Sequence, residues 1–190
     1  MAGKYPIILA HGIVVKDFKF FKAFGRIEKA LKKAGYTVYT SHTDGFGTVE
    51  NNARQLKEQI IEVLQKHGAE KVNIIAHSKG GLDAKYMLEN LDMTQSVASL
   101  TTVCSPHKGS RLATKINAMP KPFLKFTAFW INFWYRIFGD KRPDSLAVLR
   151  QLEAIPAEEY AQAVFSDRVY CQSFSAELKR SRDDFVMGIP

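Results

Sequence analysis

The residues best suited to chemistry lie in one run, Val72-Asn73-Ile74-Ile75-Ala76-His77-Ser78-Lys79-Gly80-Gly81. Val72 to Ala76 is short, apolar and β-branched, which fits a strand buried on both faces. The pattern breaks at His77-Ser78-Lys79-Gly80 and resumes from Leu82 to Glu89 as a helix. A serine held between strand and helix with small residues two positions to either side forms a nucleophile elbow. Those small residues are Ala76 and Gly80, the alanine variant of Gly-x-Ser-x-Gly. Such a bend aims the Ser78 hydroxyl away from the sheet. It also sets the Lys79 backbone N–H at a helix N-terminus, where developing negative charge is stabilised. The competing reading is an ordinary glycine-rich turn with an idle serine; the strand before it and the helix after it favour the elbow.

A second amide is expected from Pro6-Ile7-Ile8-Leu9-Ala10, a buried-strand run that delivers His11-Gly12-Ile13 to a loop. In this reading the Ile13 N–H faces the reacting oxygen, Gly12 permits close approach, and His11 positions the loop. The elements that must hold these groups alternate. Phe20, Phe24, Ile27 and Leu31 recur at helical spacing before a stop at Gly35, and Tyr36 to Thr40 reads as a strand. A turn-rich loop, residues 41–48, leads to a helix with Ala53, Leu56, Ile60, Val63 and Leu64 on one face, ended by Gly68. Val97 to Val103 and Arg168 to Phe174 read as further strands. Strand–helix alternation with short links implies right-handed crossovers and a mostly parallel sheet.

Composition sets bounds. A chain of 190 residues can bury roughly 70% of its unfolded surface in one domain. The net charge is +8, but the bases are spread over several amphipathic segments, which excludes a nucleic-acid module and leaves a mild bias toward anionic surfaces such as lipid. Cys104 and Cys171 are too few for a disulfide framework and are expected as small buried hydrophobes, with one bridge conceivable if their strands are neighbours. No signal peptide and no bilayer-length apolar run is seen. The expectation is a soluble protein, cytoplasmic or secreted with its leader removed. No cofactor and no metal is expected.

Four ordered motifs, Ile8-Leu9-Ala10-His11-Gly12, Gly45-Phe46-Gly47, Ala76-His77-Ser78-Lys79-Gly80-Gly81-Leu82 and Cys104-Ser105-Pro106-His107-Lys108-Gly109-Ser110, resemble those of the bacterial triacylglycerol lipases of the α/β-hydrolase superfamily. Ser145 to Leu152 resembles that family's segment behind the lid. The resemblance covers nearly the whole chain and departs from the usual pattern at Ala76 and Cys104, often glycines in the family. It implies an α/β-hydrolase fold, a mostly parallel sheet with flanking helices and an inserted lid. It further implies one domain over residues 1–190 with a lid or cap over about 111–165, and an acylglycerol or other ester lipid met at a lipid–water interface. It gives His107 a structural role.

Residues 117–140 are crowded with aromatics. On a helix Phe123, Phe126, Trp130, Phe133, Trp134 and Ile137 share a broad face, with Lys121, Lys125, Asn132 and Arg136 opposite. This segment is expected to be the lid, covering Ser78 in water and exposing its aromatics at lipid. The competing reading is plain core.

A serine nucleophile needs a base and an acid. Of His11, His42, His67, His77 and His107 only the last follows the elbow. The family's acid and histidine would follow the strand ending near Phe174 and a further strand. The expectation is therefore an N-terminal portion that lacks C-terminal strands, leaves an edge strand open, and is completed by a second polypeptide or by sequence missing from the chain. Three functions compete: a serine lipase or carboxylesterase, incomplete as this chain alone; a catalytically silent lipid-surface or partner-binding module; and a thioesterase or acyltransferase on the same elbow.

Overall fold

A computed structural model describes residues 4–13, 24–153 and 167–176. Its centre is a sheet of five parallel strands in the order β2-β1-β3-β4-β5. These are β1 (Ile7–Ala10), β2 (Val38–Thr40), β3 (Val72–His77), β4 (Val97–Val103) and β5 (Tyr170–Phe174). Every crossover described carries helix: α1 (Ile27–Lys33), α2 (Val49–His67), α3 (Lys79–Asn90), then α4 (Arg111–Asn117), α5 (Lys121–Ile137) and α6 (Ser145–Gln151) between β4 and β5. The predicted helix beginning at Phe20 falls partly outside the described residues, as does the end of the proposed lid insertion.

α2 illustrates how local chemistry sets an element. The Thr48 hydroxyl accepts from the Asn51 N–H at its start, and Gly68 closes it in the left-handed conformation at φ 57°. Between them Ala53, Leu56, Ile60 and Val63 recur along one buried face. They pack with Met87 and Leu88 of α3 on Ile8, Ala10, Ile74, Ala76 and Leu100 of the sheet, the main core of the molecule. Each fully buried Leu or Ile contributes about 1.5–3 kcal/mol, so this face holds the fold together. The opposite sheet face carries a smaller cluster of Ile7, Leu9, Phe24 and Val38 with Leu31 of α1.

β3 is not buried on both faces as its apolar run predicts. Val72, Ile74 and Ala76 are buried, whereas Asn73 and Ile75 are half-buried, and Asn73 accepts a hydrogen bond from Ser99 on β4. β5 is exposed along its whole length, with Tyr170 and Phe174 standing in solvent at the sheet's edge. The cysteines differ from expectation for the same reason. Cys171 on β5 and Cys104 at the end of β4 are both exposed and both free, because the described residues cover neither side of this edge.

Candidate active site

Ser78 sits at the junction of β3 and α3 with φ 53° and ψ −128°. For a non-glycine residue this is a sparsely populated conformation, which persists only where the surroundings over-determine it. The surroundings do so from both sides. The Ser78 N–H is tied to the Val103 carbonyl of β4 at 3.0 Å, and the Ser78 carbonyl accepts from the Gly81 N–H at 3.1 Å. A Cβ at Gly80 would lie 2.5 Å from the carbonyl oxygens of Ala10 and His11, so only glycine lets α3 start this close to the end of β1. A Cβ at Gly12 would lie 2.8 Å from Ser78 Cβ and 3.2 Å from Ser78 Oγ. The loop after β1 is thus packed directly against the serine side chain, with Ile13 the next residue along. Ala76, two before the serine, is fully buried, and Ser78 itself is half-buried.

His11 is buried; its Nδ1–H donates to the Gly12 carbonyl at 2.9 Å and its Nε2 lies 3.4 Å from the Thr43 hydroxyl, which steadies the glycine loop. His77 is exposed beside the elbow. His107 lies 3.2 Å through Nε2 from the Thr102 hydroxyl, and burial, with Lys85 adding to it, holds its pKa below the usual imidazole value. His67 Nε2 meets the Tyr39 hydroxyl at 2.8 Å, and His42 is exposed. Among the described residues no histidine ring is hydrogen-bonded to Ser78.

Beneath the elbow lies a polar chain that sequence reading missed. The elbow pattern assigns Lys79 a role through its amide alone, yet its side chain is 1% exposed and its Nζ stands 2.6 Å from Asp83 Oδ1, itself 2% exposed. The spacing of four along a helix was the available signal. Burial pushes Asp83 up to about 6 against the pull of Lys79 and Asn52. Asn52 Nδ2 donates both to Asp83 at 3.2 Å and to the Asp44 carbonyl at 2.9 Å. The buried Asp44 carboxylate in turn accepts from the N–H groups of Lys141 and Arg142, both at 2.9 Å. Asp140 returns the contact: its buried carboxylate accepts from Gly45 N–H at 3.1 Å and Phe46 N–H at 2.9 Å. Two carboxylates thus clasp the loop after β2 to the end of α5, and the Tyr135 and Phe46 rings meet edge to face above them at 4.5 Å.

Beside Ile13 this clasp leaves an apolar cavity of about 230 Å³, walled by Phe46, Leu124, Ala128, Ile131, Leu146 and Leu149 among others. α5 forms one wall through its narrow side, where Leu124 and Ala128 are buried. Its aromatic face is turned the other way: Phe126 is 64% exposed, Trp130 45%, Phe133 47% and Trp134 50%. The expectation that these rings are covered in water is therefore corrected. Ala128 lines the cavity opposite Leu146 and Leu149 of α6, and the bulky rings stay outside. Among the described residues no helix is long and apolar enough to cross a membrane, and no cluster of side chains could hold a metal ion.

A parallel sheet flanked by helices, with a serine on a strained bend between a central strand and its helix, defines an α/β hydrolase. The family model of the palmitoyl protein thioesterases matches residues 6–165, and the chain belongs to that family. The triacylglycerol lipase of Pseudarthrobacter phenanthrenivorans is 33% identical over 174 residues, 84% of this chain and 53% of that protein. That of Burkholderia plantarii is likewise 33% identical over 174 residues, 84% of this chain and 48% of its own length. The resemblance to bacterial triacylglycerol lipases therefore holds, and the chain spans about half the length of these relatives. Among solved structures, the metagenomic carboxyl esterase MGS0156 aligns with TM-score 0.69 at 19% identity, over 95% of this chain and 51% of that one. The mature Bacillus licheniformis lipase BlEst2 aligns with TM-score 0.62 at 21% identity, over 90% of this chain and 64% of that one. Both share the fold.

Proposed function

We propose that the protein is a serine hydrolase of acyl esters, with Ser78 as nucleophile. The observation that carries this reading is the strained Ser78 backbone with Gly12 packed against its side chain. Ser78 Oγ attacks the ester carbonyl carbon while a base takes the hydroxyl proton. The Lys79 N–H, which as the first residue of α3 has no intrahelical acceptor, and the Ile13 N–H hold the oxyanion. The carbon–oxygen bond to the alcohol breaks, and the proton passes to the leaving oxygen. Water then attacks the acyl-enzyme, releasing the acid and restoring the serine. The histidine and acid of this triad come from protein outside the 190 residues, as further sequence or a second polypeptide. Two facts support this: the histidines described are engaged elsewhere or exposed, and the match covers only 53% and 48% of the two relatives' own length. The open β5 edge is where the added strands would pair.

The cavity beside Ile13 takes the acyl chain. Reaction with a fluorophosphonate probe tests the proposal. Covalent labelling at Ser78, lost in Ser78→Ala, is the expected result; an unlabelled Ser78 in a preparation that carries the C-terminal part rejects it. The family model favours a second substrate class, acyl thioesters, attacked by the same serine. Relative turnover of matched esters and thioesters separates the two.

A further inference from the structure

We propose that the buried pair of Lys79 and Asp83, braced by Asn52 of α2, positions the Lys79 amide that holds the oxyanion. This rests on the reading of Ser78 as nucleophile. It adds three side chains to that reaction, each acting through the backbone beside the serine.

The first observation is where the pair lies. Lys79 follows Ser78 directly, so one residue offers a helix-terminal N–H on its backbone and a buried ammonium on its side chain. The two residues after it are Gly80 and Gly81. Close packing requires both: Gly80 abuts the carbonyls of Ala10 and His11, and a Cβ at Gly81 would overlap the Ser105 side chain. Two glycines in succession leave a helical turn loose, since glycine has more conformational freedom to lose than any other residue. This is the turn that carries the oxyanion donor. The bond from Lys79 Nζ to Asp83 Oδ1, 2.6 Å long, spans the whole turn and both glycines. It restrains the turn at the point where packing forbids a side chain that would do so.

The second observation is chemical type. α3 meets the main core through Ala84, Met87 and Leu88, and its Lys79 and Asp83 are as deeply buried as these. Two charges at such a depth give a fold no more stability than well-packed apolar residues of similar size, because desolvation offsets their attraction. What they add is direction. A short charge-assisted bond holds its partners at one distance and angle, where methyl groups would slide.

The third observation is the brace. Asn52 is 2% exposed, and its Nδ2 donates to Asp83 Oδ2 at 3.2 Å and to the Asp44 carbonyl at 2.9 Å. Its Oδ1 is buried and, among the described residues, has no hydrogen-bond partner. A buried acceptor left unpaired destabilises a fold, so the contribution of this asparagine is its pair of donors. The anchor behind it is firm. Thr48 caps the first turn of α2, and Gln151 of α6 accepts from the Val49 N–H and donates to the Glu50 carboxylate, each at 2.8 Å. Asp83 is thereby fixed from a second element, and Lys79 through it.

Protein that carries the C-terminal part is reacted with a short-alkyl fluorophosphonate, whose capture by Ser78 needs the oxyanion hole but not the cavity. Lys79→Met with Asp83→Leu replaces the pair by apolar side chains of similar shape, and its melting temperature should stay close to that of the wild type. Labelling should nevertheless slow by about tenfold to a hundredfold, and kcat for a short-chain ester should fall alike with KM unchanged. Asn52→Ala, assayed well below its melting temperature, should slow labelling by about threefold to tenfold. Should the double variant fail to fold, Asn52→Ala carries the test by the same rate. Labelling at the wild-type rate in the folded double variant or in Asn52→Ala overturns the proposal and leaves Ser78 the nucleophile. So does a loss confined to KM. Labelling absent from the wild type itself overturns both readings.

Discussion

Replacing Asp140 by alanine removes one half of the clasp that holds α5 to the loop after β2. The carboxylate is 3% exposed and accepts two backbone N–H bonds, from Gly45 at 3.1 Å and Phe46 at 2.9 Å. A hydrogen bond to a charged group contributes about 1.5–3 kcal/mol, and an orphaned buried donor adds its own desolvation cost. The loss should be about 3–5 kcal/mol, a fifth or more of the roughly 5–15 kcal/mol stability of an ordinary domain. At this chain length each kcal/mol moves the melting temperature by roughly 2–4 °C, so a fall of about 6–20 °C is expected. Asp140→Asn keeps one acceptor but turns an NH₂ toward the other N–H, and should fall between alanine and wild type. Asp144→Ala is the control: this carboxylate also accepts a backbone N–H, from Ala147, but at an exposed helix cap, and its loss costs about 1 kcal/mol. Phe46 walls the apolar cavity, so the alanine variant should also lose acyl-chain discrimination before it unfolds. Urea unfolding of the three variants side by side is the assay. If Asp140→Ala costs no more than Asp144→Ala, the reasoning about buried acceptors is wrong.

Two further predictions concern the elbow. In Gly12→Ala the new methyl would lie 2.8 Å from Ser78 Cβ, about 1 Å inside ordinary carbon contact, so the loop must retreat and carry the Ile13 N–H with it. A displaced oxyanion donor costs about 10²–10³ in kcat with little change in KM, and a variant hydrolysing esters at the wild-type rate would remove Ile13 from the site. Asp83 titrates at about 6, above its ordinary 3.8, chiefly through burial, so its contribution to stability is fully present below pH 3.8 and lost as pH rises through about 6. Asp83→Asn stays neutral throughout. The wild-type unfolding free energy should therefore fall relative to the variant's between pH 4 and pH 7, and parallel curves over that range would refute the assignment.

What the sequence made legible was local. A β-branched run followed by Ala76-His77-Ser78-Lys79-Gly80 marks a bend because small residues are required two positions either side of the serine, and Gly80 indeed abuts backbone carbonyls. Val97 to Val103 is a strand with the predicted ends, and Thr48 and Gly68 bound α2 through capping chemistry confined to a few residues. The reciprocal clasp was not legible. Asp44 and Asp140 lie far apart in the chain, and nothing near either one announces that its acceptors are needed by the other's loop. The exposed cysteines escaped for a related reason: a strand's apolar character says that it wants cover, not whether the described chain provides it.

α5 shows why periodicity fixes an element's faces but leaves its rotation open. Its apolar face is the larger, and burying each of those rings against the protein would contribute about 1.5–3 kcal/mol, so hydrophobicity alone turns them inward. The opposite rotation holds because the anchors are specific. Asn132 bonded to Ser145, Tyr135 seated on Phe46, and a chain end received by Asp140 can all be met only with Leu124 and Ala128 inward. Turning the helix over would orphan the buried donors on Gly45 and Phe46 and fill the cavity beside Ile13 with indole and phenyl rings. The same rotation therefore keeps the cavity beside Ile13 open and sets the aromatic strip outside it. A cavity wall and an exposed aromatic strip then share one helix, each depending on polar contacts that neither face reveals.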